Sequence, residues 1–562
     1  MPVQFEQLLK ILYDPEVADA LCTRIEHRLE GVSFPSVRSG KWSSTDIVFI
    51  TYADAFFADD EPPLQSLGRF LNEHLPGLIS QVHLLPFFPY TSDDGFSVRD
   101  YRTVDQCHGD WSDIQSLSEN HELIFDLVIN HASSQHDYFQ DFIDDRPPGN
   151  RYFLTAQAGD DVSQVTRPRA SSLLQTYDTA KGPQQVWCTF SRDQVDWDFS
   201  NPDVLFKFVD LLVTYMERGA TWIRMDAIAY LWKQVGTSCI HRPQTHAVVK
   251  LFRAIAEQIS PDFKILTETN VPLAENLSYF GDGDEAHIVY NFSLPPLLVH
   301  GLLTGNSEHL THWCQSLPRP PKGCTFLNFS ASHDGIGIRP AEGILSDEQI
   351  RQLTDCLSQF GGRINQRQKP DGTLSPYEAN ISLFDAFKGT IEGEDQWQVE
   401  RFLVSQGLMM ALAGVPALYY NSVLAAPNNL SGLAETGRNR TINRKKWNID
   451  EIDGRFHDAS AAPYRVLLGI REMVNARRTL DAFHPEAPQE VLWVDKRLFV
   501  LVRHGIEGHQ KVLCLFNLSS EPVNVAKDLV KVAVNQSLSV RFKHQTIAIK
   551  AESFELSPYA IA

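Results

Sequence analysis

Paired cysteines, a basic surface and an unbroken apolar run are all missing from this 562-residue chain. Each absence removes a class of protein. The eight cysteines (Cys22, Cys107, Cys188, Cys239, Cys314, Cys324, Cys356 and Cys514) stand singly, with no C-x-x-C pair. That pattern excludes a small disulfide scaffold and reads as reduced, mostly buried thiols of a cytoplasmic protein. A net charge of −20 argues against nucleic acid and anionic membrane as partners. Any anionic substrate must therefore be met by local Arg or Lys. The stretches Phe402–Tyr420 and His287–Ser307 contain no Asp, Glu, Lys or Arg. Gly407, Gly414 and Pro416 interrupt the first, and Pro295-Pro296 the second, so each reads as a buried helix joined to a strand, not a membrane span. The first residues lack the charged and apolar regions of a secretion signal. No acidic cluster has the spacing of a calcium loop, and neither metal nor cofactor is expected.

What the chain does contain is a series of short β-branched and aromatic runs separated by helical segments. Ile47–Thr51, Val82–Leu85, Leu123–Ile129, Trp222–Met225, Lys264–Thr267, His287–Tyr290, Thr325–Phe329 and Val415–Tyr419 make eight such runs. This pattern predicts an α/β fold, a closed (β/α)8 TIM barrel whose site lies at the C-terminal ends of the strands. The predicted barrel covers residues 46–130 and 201–485. Residues 131–200 are too long for a structureless loop and should form a small inserted domain after strand three. A second long interval, about 336–395, follows strand seven and holds the turn-rich run from Gln368 to Pro376. Residues 1–45 read as a helical extension, and 486–562 as an antiparallel β-domain.

Three strings end strand-like runs with a carboxylate: Arg224-Met225-Asp226, Thr267-Glu268 and His333-Asp334. Two carboxylates flanking a sugar C1 are the minimum equipment for retaining glycosyl transfer. Asp226 is expected to be the nucleophile. Arg224, two residues earlier, emerges on the same face of the strand and can hold that carboxylate ionised. Glu268 is the expected acid/base and Asp334 the third carboxylate. A structural Arg–Asp pair at a barrel rim is the competing reading of the first string alone.

Taken together, these strings resemble the α-amylase superfamily. Leu85-Pro-Phe-Phe-Pro-Tyr-Thr-Ser-Asp-Asp-Gly-Phe-Ser97, Gly236-Thr-Ser-Cys-Ile240, Phe292-Ser-Leu-Pro-Pro-Leu297 and Ser332-His-Asp-Gly-Ile-Gly337 look like its sucrose phosphorylase branch. The match runs from about Ile47 to the end of strand eight. The resemblance implies that Asp334 stabilises the transition state and that His131 and His333 bind sugar hydroxyls. It also implies that Asp93 and Arg440 close a pocket around one terminal glucose. Phosphate would be met by Arg169 and Tyr377.

Several features depart from plain sucrose phosphorylases. They are the N-terminal extension, the loop Pro370-Asp-Gly-Thr-Leu-Ser-Pro-Tyr-Glu378, Ile240-His241-Arg242, and Thr269-Asn270-Val271-Pro272 after Glu268. These look closer to the glucosylglycerate phosphorylases of the same branch. A glycerate carboxylate would need cationic donors, for which His241, Arg363, Arg367 and Lys369 are candidates. The implied partners are a small α-glucoside and inorganic phosphate, with the protein a monomer or homodimer. A phosphorylase of sucrose, sucrose 6′-phosphate or glucosylglycerol is the alternative within the class. A hydrolase or transglucosidase with the same triad, then a non-enzymatic amylase-like binding subunit, are the alternatives from other classes. The last loses carboxylates that this chain keeps.

Overall fold

The structure is a computed structural model that describes residues 2–34, 41–169, 171–368, 373–508, 510–526, 539–542, 545–548 and 553–562. Strands Val48–Thr51, Gln81–Leu84, Glu122–Val128, Ala220–Asp226, Lys264–Thr267, Ile288–Tyr290, Thr325–Phe329 and Val415–Tyr419 close into one parallel barrel in chain order. Val48 pairs with Gln81 on strand two and with Ala417 on strand eight, which seals the ring. All eight segments expected from sequence form it. They read as apolar runs because a parallel strand is buried on both faces, by the barrel interior and by the helices outside.

The apolar stretch 402–420 becomes helix Gln398–Ala411 followed by strand eight. Gly414 makes the turn between them at φ +131°, and a Cβ there would lie 2.7 Å from the Phe326 carbonyl oxygen. Only glycine meets both demands. The stretch 287–307 likewise becomes strand six and helix Leu294–Thr304. No helix among the described residues is long and apolar enough to cross a membrane.

The segment 131–200 holds helix Asp137–Ile143 and a three-stranded sheet of Thr155–Ala156, Leu174–Thr179 and Gly182–Trp187. Its two ends are tied together where His131–Ser133 pairs with Gln194–Asp196. After strand seven, Arg363–Gln368 and Leu374–Asn380 form a hairpin joined by the short strand Ile336–Gly337. Residues 369–372 of the expected turn-rich run lie outside the described residues, and Leu374–Pro376 of it are strand and not turn. At the start of the chain, helices Pro2–Leu12 and Pro15–Leu29 precede the barrel. Arg28 docks the second helix on Asp210 at 2.6 Å.

The C-terminal strands are antiparallel, led by the meander Gln489–Leu492, Leu498–His504 and Lys511–Asn517. Two fully buried arginines, Arg477 of helix Ala462–Arg478 and Arg503 of the meander, cap helix Gln398–Ala411, whose last carbonyls have no partner within the helix, and Arg503 thereby joins the C-terminal strands to the barrel. Arg477 donates to the Met410 oxygen at 2.6 Å and to Gly414 at 3.0 Å, while Arg503 donates to Ala411 at 2.7 Å and His484 at 2.9 Å. Cation and helix C-terminus are complementary in charge. Burial pulls the Arg503 guanidinium down to about 10, still protonated at neutral pH. Arg503→Ala should lower the thermal midpoint, at a cost of about 2–3 kcal/mol, because buried carbonyls lose charge-assisted partners. An unchanged midpoint would show that this junction does not hold the helix end.

Candidate active site

The three carboxylates come together at the C-terminal mouth of the barrel. Asp226 is the last residue of strand four, Glu268 follows strand five, and Asp334 follows strand seven. Arg224 donates to Asp226 Oδ1 at 2.8 Å and also pairs with Asp126 on the adjacent strand, its register partner. Asp126 in turn contacts His83 of strand two at 2.8 Å. Asp126 and His83 were not foreseen. The available signal was a charged or imidazole side chain inside an otherwise apolar parallel strand, where burial demands a partner.

Ala227 adopts a left-handed conformation, φ 51° and ψ 29°. This turns its N–H onto Glu268 Oε2 at 3.0 Å. A non-glycine residue in that region costs about 1–2 kcal/mol. Burial, then the negative charges of Glu268 and Asp126, push the Asp226 carboxyl up against the pull of Arg224. Burial also raises Glu268, and the charge of Asp334 adds to it. Two crowded carboxylates cannot both ionise cheaply, so the pair retains one proton. A guanidinium touches Asp226 and only a backbone amide touches Glu268, so these contacts favour the charged form at Asp226 more than at Glu268.

Asp334 sits in a cage of arginines. Arg440 reaches Asp334 at 2.6 Å, grips Glu378 with two nitrogens at 2.7 and 3.2 Å, and approaches Asp93 at 3.9 Å. Arg444 contacts Asp94 at 2.6 Å and approaches Asp93 at 3.7 Å and Asp334 at 3.8 Å. Burial opposes ionisation of Asp334, but Arg440 and then Arg444 outweigh it and hold its carboxyl below the usual range. Glu378, Arg444 and Asp94 were not singled out beforehand, although each is a near neighbour of an expected residue.

Asp93 and Asp94 both have positive φ, 51° and 49°. The loop that carries them is held by Asp193, whose carboxylate accepts from Thr91 and Ser92 at 2.5 Å, Ser134 at 2.6 Å and Ser97 at 2.8 Å. The inserted segment therefore shapes this wall of the site. His333 stacks on Phe96, ring centroids 4.8 Å apart, and burial followed by Arg224 and Arg444 keeps it neutral. His131 lies one layer deeper. Its ring nitrogens contact the Phe96 carbonyl at 2.9 Å, the Gln194 amide at 3.1 Å and the Asn130 amide at 3.2 Å. Burial lowers it to about 4.

Arg169 and Tyr377 meet, the guanidinium lying 6.0 Å from the ring centre. His241 does not join them with a ring nitrogen to offer. It contacts Glu275 and the Tyr279 hydroxyl at 2.9 Å each, so a neighbouring carboxylate already occupies the imidazole. Arg367 is taken by both oxygens of Glu342 at 2.8 and 2.9 Å, and Arg363 donates to the Gly362 carbonyl. Lys369 lies outside the described residues. His241 and Arg367 share one cause, since a basic side chain near a site is engaged by an acid within reach. Two residues missed from sequence, Tyr230 and Arg339, complete this side. The charges of Arg339, Glu268 and Arg169 all act on the buried Tyr230 hydroxyl. Among the described residues, the one grouping able to offer three ligands to a metal is Glu73, His74 and Asp453, on two outer helices.

An eight-stranded parallel barrel with acids after strands four, five and seven is the arrangement of an α-amylase-type catalytic domain, and the α-amylase catalytic-domain family matches residues 77–309. A glucosylglycerate phosphorylase from Spirochaeta thermophila is 43% identical over 92% of this chain and 89% of its own length. A sucrose phosphorylase from Bifidobacterium adolescentis is 28% identical over 78% of this chain and 86% of its own. The crystal structure of a sucrose 6F-phosphate phosphorylase from Thermoanaerobacter thermosaccharolyticum shares the fold, with TM-score 0.73, 21% identity and coverage of 84% and 94% of the two chains. The chain belongs to the glucosylglycerate phosphorylase family of the α-amylase superfamily.

The crowding has a measurable consequence for stability. A carboxyl whose pKa is raised by folding destabilises the fold at pH values above its unfolded pKa, about 4.3 for Glu. Glu268→Gln should therefore raise the thermal midpoint at pH 7 by roughly 1–3 °C. The gain should fade as pH falls below about 4, where Glu268 is protonated in both states. A midpoint that drops at pH 7 would mean that the Ala227 contact outweighs the charge crowding.

Proposed function

We infer that this chain is a retaining phosphorylase of 2-O-α-glucosyl-D-glycerate that forms α-D-glucose 1-phosphate. The observation that carries the reading is 43% identity to a glucosylglycerate phosphorylase across nearly the whole chain, against 28% to a sucrose phosphorylase. The site supports the chemistry in two half-reactions. In the first, ionised Asp226 attacks the glucose C1 while Glu268 gives its proton to the glycosidic oxygen. The C1–O bond breaks, glycerate departs and a β-glucosyl ester of Asp226 forms. In the second, a phosphate oxygen attacks C1 and breaks the ester bond. Glu268 takes the phosphate proton and Asp226 is restored.

The remaining expected residues fit around these steps. Arg224 aims Asp226 and favours its charged form. Asp334 and Arg440 bracket the sugar ring, and with Asp93 they close the pocket beyond one glucose. That geometry supports transfer of single glucosyl units. Arg169 and Tyr377 supply the phosphate side, where a guanidinium matches a tetrahedral dianion better than an ammonium does. His333 and His131 are neutral and can exchange hydrogen bonds only in uncharged form, with His131 acting through the Phe96 loop.

Asp226→Asn should reduce turnover by about 10⁴-fold with the fold retained, since no covalent intermediate can form. Activity above a few per cent would place the nucleophile elsewhere. Arg169→Ala should raise the phosphate KM at least about tenfold and leave glucoside binding far less affected. Glucose 1-phosphate release should be faster from glucosylglycerate than from sucrose, sucrose 6′-phosphate or glucosylglycerol assayed in parallel. Glucose release at full rate without phosphate would instead identify a hydrolase.

A further inference from the structure

We propose that Arg339 is the acceptor-specificity residue of this site, its guanidinium binding the glycerate carboxylate beside Glu268. The assignment rests on the reading that glycerate is the acceptor. The chemistry of that acceptor fixes where its cation must be. The glycosidic oxygen is on C2 of glycerate and the carboxylate is bonded to the same carbon. A carboxylate two bonds from the oxygen that Glu268 protonates can only be met by a group next to Glu268.

Arg339 lies on a turn packed against the loop that follows Glu268. It opens the short 3₁₀ turn Arg339–Ala341 that follows strand Ile336–Gly337. Ile338 N–H donates to the Tyr377 carbonyl at 2.9 Å, and Ser293 Oγ donates to the Pro340 carbonyl at 3.0 Å. The turn is thus pinned on both sides of the arginine. Gly337 faces Asn270, two residues beyond Glu268: a Cβ there would lie 3.3 Å from the Asn270 amide. Asn270 Oδ1 is buried without a hydrogen-bond partner. From the other side comes Tyr230, four residues after Asp226, whose hydroxyl feels Arg339, Glu268 and Arg169 together.

Arg339 also has no competing acid. Among the described residues, no carboxylate lies within 4.0 Å of the Arg339 or Arg169 guanidinium, whereas Arg224, Arg367, Arg440 and Arg444 each contact at least one. In a chain of net charge −20, two half-buried guanidiniums left without carboxylates on one side of Glu268 point to anions supplied from outside. The substrates provide two such anions, phosphate and carboxylate. Arg169, stacked near Tyr377, serves the first. Arg339, whose guanidinium acts on the Tyr230 hydroxyl, serves the second. A neutral acceptor such as glycerol leaves that cation unsatisfied and is rejected.

The test is acceptor selectivity in the synthetic direction, with α-glucose 1-phosphate as donor and D-glycerate or glycerol as acceptor. For Arg339→Gln, the ratio of kcat/KM for glycerate over glycerol should fall about ten- to a hundredfold, mainly through the glycerate KM. Arg339→Lys should recover part of that ratio. Because both acceptors are measured on the same preparation, partial misfolding scales both rates and leaves the ratio readable. A wild-type glycerate preference that persists unchanged in Arg339→Gln overturns the assignment alone. A wild-type enzyme that favours glycerol overturns the glycerate reading and this assignment with it.

Discussion

Carboxylates gathered at one barrel mouth, two of them gripped by guanidiniums, are the constraint around which this molecule is arranged. Asp226, Glu268 and Asp334 converge from three strands onto one mouth. Left unpaired, such a group would take up protons and lose its nucleophile. Arg224 opposes this by bridging Asp126 and Asp226, and it can do so because parallel register sets it directly beside Asp126. His83 completes the line across strands two, three and four. The barrel therefore supplies more than a scaffold: its register decides which charges become neighbours.

The same principle extends outward to the loops. Arg440 and Arg444 reach back from the segment after strand eight to carboxylates that follow strands two and seven. Through them, loops far apart in sequence become one wall. Asp193 plays the complementary part, gathering four hydroxyls that fix the Asp93 loop in its positive-φ conformation. A strained backbone persists only where its surroundings over-determine it, and such positions cluster at functional sites. The inserted segment is thus a structural component of the wall that carries Asp93.

Much of this was legible in the chain. The eight barrel strands could be read because burial on both faces imposes apolar runs, and their ends fell within two residues of the observed ones. Asp226, Glu268 and Asp334 could be picked out only in combination, because acids after strands are common and it is their order, with Arg224 two before the first and His333 beside the last, that is specific. Arg224 followed from the two-residue period of a strand. The acceptor side was less readable. His241, Arg363 and Arg367 are near it in sequence, yet Glu275, Glu342 and a backbone carbonyl engage them. Arg339 and Glu378 carry no local signal beyond charge.

Sequence alone therefore determined the architecture and the order of the three acids, because strand period and hydrophobic burial are local properties; the family of reaction came from the resemblance of its motifs. Tertiary structure alone decided which arginine meets which acid. A guanidinium reaches about 7 Å from its Cα, so its partner depends on distant loops and not on its neighbours in the chain. The protonation state of Glu268 belongs to the same class, since burial and the surrounding charges, not residue type, set where its proton rests.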